Sequence, residues 1–121
     1  MYSRITIDEV EERDVDDERP TLRAIGYELR PEQMRPNVWE YEAGESNVSH
    51  RQDEQEELYV VLDGRFDATI EHDGDREVVE LSRHDCLVVP PESWRQLEAR
   101  EESTLLVVGS PNVKDDGIVD E

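Results

Sequence analysis

Short, dense apolar blocks cut off by turn residues constrain this chain more than any other feature. Leu58-Tyr59-Val60-Val61-Leu62, Cys86-Leu87-Val88-Val89 and Thr104-Leu105-Leu106-Val107-Val108 are rich in β-branched side chains and too short for stable helices. Between such blocks stand Asp63-Gly64, Asp73-Gly74, Pro90-Pro91 and Gly109-Ser110-Pro111. Asp-Gly suits a tight hairpin, because the glycine accepts the positive φ that the turn requires. The pattern predicts strands over 21–30, 36–43, 57–62, 65–72, 76–81, 85–90, 94–99 and 104–109. Eight short strands at this spacing make an all-β, antiparallel sandwich or barrel. No stretch carries a helical stripe beyond a turn or two, and 31–35 is the candidate for a single turn.

A strand's period of two then assigns faces. Phe66, Ala68 and Ile70 share one face, opposite Asp67, Thr69 and Glu71. Leu97 and Ala99 point inward, and Arg95 goes inward with them. Trp39 and Tyr41 oppose Glu40 and Glu42. Strand 57–62 is apolar on both sides, with Glu57, Tyr59 and Val61 on one and Leu58, Val60 and Leu62 on the other. The second face therefore needs a cover, either a second copy of the chain or Ile5 and Ile7 from the N-terminus. Cys86 is expected in the core, His72 and His84 at exposed turns, and Trp94 on a rim or subunit contact.

Composition narrows the partners. Thirty-three Asp and Glu against 13 Lys and Arg give a formal charge of −20, which argues against nucleic acid and anionic membrane. No apolar run approaches the roughly 18 residues of a membrane span, and the N-terminus lacks a signal-peptide core. The single cysteine, Cys86, excludes an internal disulfide. A cytoplasmic location is expected. Twelve of the 13 basic residues are Arg. A chain of this mass exposes about 6,700 Å² when folded, so carboxylates fall at about one per 200 Å². That density suits a salt-loaded cytoplasm, where screening is short-ranged. Residues 1–20 read as an acidic N-terminal arm, solvated over 8–20, with an edge strand expected over 2–7. Residues 21–110 form the β-domain, and 111–121 an acidic tail, loose or docked on a neighbour.

The stretch from Gly44 to Gly64 carries the chemistry. Gly44, His50, Glu57 and Gly64 fall on a frame that resembles the first motif of the cupin superfamily. A second motif is echoed over His84–Arg95, where Asp85 and Pro90 match and His84 and Glu92 stand in place of two glycines. The resemblance runs from about Val38 to Val108. It implies an antiparallel jelly-roll (double-stranded β-helix) barrel whose lumen holds a metal on three His and one Glu. The four ligand positions here read His50, Gln52, Glu57 and Arg95.

That departure shapes the functional expectation. Gln52 can offer an oxygen, but the guanidinium of Arg95 stays protonated and has no lone pair to give a cation. The expected protein binds a small molecule, an anionic one being compatible with Arg95, in the barrel mouth at His50, Gln52, Glu57 and Arg95. It has no cofactor and no tightly bound metal, and any weak divalent ion would sit on His50, Gln52 and Glu57. The alternative is a cupin-type enzyme (dioxygenase, isomerase or decarboxylase) with an altered metal shell, its catalytic residues unknown. Blander roles stay open for each residue: His50 as a hydrogen-bonded loop-end histidine, Glu57 as a structural partner of Arg95. A homodimer is expected from the outward triplet Leu58, Val60 and Leu62.

Overall fold

The computed structural model describes residues 2–14 and 20–119. Eleven strands follow in order: β1 (Glu12–Asp14), β2 (Thr21–Arg23), β3 (Arg35–Tyr41), β4 (His50–Gln52), β5 (Glu56–Asp63), β6 (Arg65–His72), β7 (Asp75–Ser82), β8 (Cys86–Val89), β9 (Trp94–Ala99), β10 (Ser103–Ser110) and β11 (Gly117–Val119), with a short helix α1 (Ile25–Leu29) between β2 and β3. They form a six-stranded sheet ordered β1-β2-β3-β10-β5-β8 and a five-stranded sheet ordered β11-β4-β9-β6-β7. The pairings among the described residues are antiparallel.

The expected closed barrel is not formed. A barrel needs a hydrogen-bonded ladder running without a break from first strand to last, whereas here each sheet keeps two open edges. The chain crosses from one sheet to the other on either side of β4, at Gly64, and at the joints on either side of β8, β9 and β10. Gly64 makes its crossing with φ of 89°, and a β-carbon there would collide with Ser103.

The inward faces meet as the alternation requires. Tyr41, Tyr59, Val61, Leu105 and Val107 of the six-stranded sheet pack against Phe66, Ala68, Leu97 and Ala99 of the other. The Tyr41 and Phe66 rings meet edge-on at 4.9 Å. Asp73 and Gly74 both take positive φ in the two-residue β6–β7 turn, as a primed hairpin turn demands.

Several expectations give way. Residues 25–29 are helical, not part of a strand over 21–30, and 31–35 form no helical turn. Ile25 and Leu29 lie one helical turn apart and pack with Val10, Ile5 and Leu106 around Val38. Arg30, left-handed at φ 52°, ends the helix just before Pro31. The edge strand is Glu12–Asp14, not 2–7, and Val10 is buried within a stretch expected to be wholly solvated. Residues 15–19 of that stretch lie outside the described residues. Cys86 is exposed, because Leu87 and Val89 take the inward positions of β8. The tail is not loose: β11 pairs with the chain's own β4.

Candidate functional site

Between the two sheets, at the end where β4 and β11 meet β3, β5 and β10, lies a cavity of about 380 Å³. Sheet register builds one wall. Arg35, Asn37 and Trp39 of β3 alternate inward, Leu105, Val107 and Gly109 of β10 lie opposite them, and Glu57 and Tyr59 of β5 follow. The other wall is His50 and Gln52 of β4, with Asn47 and Val48 before them.

Glu57 is the electrostatic centre, and its Oε1 takes three contacts. Tyr59 Oη donates at 2.7 Å, Arg95 Nη1 donates at 3.3 Å, and His50 Nε2 stands at 3.5 Å, an ion-pair distance rather than a full hydrogen bond. Burial alone would push the Glu57 carboxyl up, but His50 and Tyr59, joined by the charge of Arg95, hold it below the usual carboxylate range. The Tyr59 phenol is pushed well up, first by burial and then by the Glu57 charge.

Arg95 has no exposed surface. Besides Glu57, it donates from Nη2 to the carbonyls of Val89 and Pro90. It is absent from the cavity wall and sits behind Glu57. Of the four sequence-derived positions, His50, Gln52 and Glu57 therefore line one cavity, and Arg95 supports one of them from beneath. Gln52 Oε1 and Arg95 Nε are buried with no hydrogen-bond partner among the described residues. Among the described residues, no group of three or more His, Cys, Asp or Glu could hold a metal ion.

Sequence reasoning missed other parts of the site. The tail supplies Val113, Asp115, Asp116, Gly117 and Val119 to the cavity. Buried Asp116 accepts the backbone N–H of Glu54 and Gln55, and Gln55 Nε2 donates to the carbonyls of Pro111 and Val113. Arg35 stands just before the strand expected over 36–43, and carrying the Trp39–Tyr41 alternation back through Asn37 would have reached it. A Ser93–His72–Asp73 chain also exists, with contacts of 3.2 Å at each step. Ser93 is buried, which keeps its hydroxyl from a substrate.

The comparisons with known proteins meet this geometry at its core. Residues 37–109 match the family model described as Cupin domain. The chain belongs to the cupin family. Among solved structures, this cupin is similar to KdgF from Halomonas sp., at 20% identity and a TM-score of 0.80 over 93% of this chain and 98% of the other. It is similar to a sugar phosphate isomerase of the cupin superfamily from Silicibacter pomeroyi, at 22% identity and a TM-score of 0.75 over 91% and 76%. It also matches oxalate decarboxylase from Bacillus subtilis, at 16% identity and a TM-score of 0.80, where 95% of this chain spans 31% of that one. At these identities the likeness is one of fold. No curated protein matches the chain. Among the described residues, no helix is long and apolar enough to cross a membrane.

Proposed function

We propose that this cupin is a binding protein that holds a small polar molecule in the cavity against His50, Gln52 and Glu57, without a resident metal. One observation carries the reading: a fully buried Arg95 places its guanidinium 3.3 Å from Glu57 Oε1. The family's fold implies a cation at that carboxylate, and here the cation is part of the chain. A divalent ion beside Glu57 would meet a fixed positive charge that has no lone pair to offer. The residues present do not fit the metal. Elemental analysis of tag-free protein should give far less than one Fe, Mn, Ni or Zn per chain; close to one overturns the reading. Arg95→His combined with Gln52→His should bring metal uptake. Ligand-observed NMR with a library of small polar molecules should give hits that Glu57→Gln weakens.

The reading extends to assembly as a pair of copies. The outward positions of β10, β5 and β8 include Thr104, Leu106, Val108, Leu58, Val60, Leu62, Cys86 and Val88, an uncharged stretch on a chain of −20, with Glu56 at its edge where β5 begins. Ile5 and α1 cover this sheet's outer face at Val38 and Leu106 but leave Val88 56% exposed.

A further inference from the structure

The cavity contains a cation that the Glu57 cluster does not use. Arg35 is the only Arg or Lys in the cavity wall, and it has no ion pair or side-chain hydrogen bond among the described residues. The buried or half-buried arginines elsewhere are engaged: Arg23 by Glu12 and Glu40, Arg95 by Glu57, and Arg51 over the Trp94 ring. On a chain with 33 carboxylates, an unpaired guanidinium facing a cavity is out of keeping with the rest of the surface.

Register fixes where it stands. Arg35 and Glu57 both pair with Gly109, one from each side. Two strand spacings separate them, about 10 Å between backbones. Gly109 puts no side chain between them, and the amide of Gln55 lies over it. The cavity therefore has a free cation on one side and, two strands away, a carboxylate whose Oε2 takes none of the three contacts converging on Oε1. A carboxylate anion fits the first and a hydroxyl donor fits the second. The net −20 repels anions at long range, but that field is screened beyond about 8 Å at physiological salt. Inside the cavity the wall also carries Asp115 and Asp116, the latter taken up by the N–H groups of Glu54 and Gln55, and Arg35 is the group there that attracts an anion.

Resting on the cavity being a ligand site, we propose that Arg35 is its anion anchor and that the ligand is a small hydroxylated carboxylic acid, carboxylate on Arg35 and hydroxyl toward Glu57. Arg95, spent on Glu57 and two carbonyls, takes no part in holding the anion.

The test is calorimetric titration, with NMR shifts of the Trp39 and His50 signals, using matched probes of three and six carbons. Glycerate and gluconate are the hydroxy acids, glycerol and sorbitol their neutral counterparts, and propionate and hexanoate the acids without hydroxyls. At least one hydroxy acid should bind tenfold or more tightly than both of its counterparts. Arg35→Ala should remove that advantage and leave the melting temperature unchanged, and Arg35→Lys should restore part of it. Hydroxy acids binding no better than polyols, or binding unchanged in Arg35→Ala, overturns the anchor but leaves the cavity reading standing. Trp39 and His50 signals unmoved by every probe overturns both.

Discussion

At the scale of single residues, Arg95 decides how the site is built, and its inward direction was readable from the Arg95, Leu97, Ala99 alternation. Its pairing with Glu57 was one of the roles the sequence left open, suggested by the motif frame that sets both at ligand positions; pairing across two sheets leaves no trace in spacing itself. Removing one member of a buried pair strands the other. Arg95→Leu should therefore cost about 3–5 kcal/mol, and adding Glu57→Leu should recover much of the loss, both checked by denaturant midpoints; a single variant within 1 kcal/mol of the parent would discount the pair. The pH dependence has a definite sign. Glu57, faced by His50 from β4, Tyr59 from its own strand and Arg95 from β9, titrates below its unfolded value of about 4.3 in the fold. Its contribution is full above that value and is lost as pH falls through the lower folded one. The stability difference between the parent and Glu57→Gln should stay constant above pH 5 and shrink below pH 4. A difference that persists at pH 3 contradicts the assignment. The two missing motif glycines tell a related story. His84 and Glu92 both keep φ of 74°, the left-handed backbone that glycine normally supplies. At either position Gly should be more stable than Ala by about 1 kcal/mol, measured by thermal melts of the paired variants.

At the scale of elements, what the sequence shows depends on length. β6 and β9 fall on the residues the alternation predicts, because six to eight residues repeat the period often enough to be read. β4 and β11 have three residues each, too few for a period, and they are the strands that complete the cavity. α1 has five residues and one Ile25–Leu29 repeat, which a strand reading absorbs as easily. The tail is the consequential miss. Its β11 lies over Gln52 Oε1, an acceptor with no partner among the described residues, at a cost of about 1–3 kcal/mol. The Asp116 carboxylate offsets this by accepting two backbone N–H groups of the β4–β5 loop. Asp116 therefore helps to seat β11, beside the β4 ladder and the Gln55 amide on Pro111 and Val113. In Asp116→Ala, hydrogen exchange should accelerate by tenfold or more at Glu54, Gln55 and 117–119, with Val61 and Leu97 unchanged. Protection unaltered at Glu54 and Gln55 would show that β11 is held without Asp116.

At the scale of the whole molecule, the two sheets differ in what they show to solvent. The outer face of the five-stranded sheet carries Asp67, Glu71, Glu80 and Glu98. The outer face of β10, β5 and β8 carries no charge from Leu58 to Leu62, and Glu56 stands only at its edge. Its rows follow the register, Val108 beside Leu58 beside Val88, then Leu106 beside Val60 beside Cys86. Charge depletion of this kind marks the centre of an interface, and a two-fold axis lets one patch serve both copies. The intramolecular cover reaches only the Leu106 side of this face, where Ile5 packs with the Val38 cluster, and Ile7 remains 38% exposed. Each half-exposed aliphatic side chain losing its remaining contact with water contributes about 1 kcal/mol, against association costs of several kcal/mol. The expected dimer is therefore moderate, and stronger in salt, since two chains of −20 repel until screened. Light scattering in 0.5 M potassium chloride should show dimer at about 100 μM and more monomer at 20 mM. Val60→Glu should give a folded monomer in high salt, while Val78→Glu, on the opposite sheet at 57% exposure, should remain dimeric. A parent that stays monomeric in high salt rejects the pair, and a Val60→Glu chain that unfolds shows that the face is covered from within one chain.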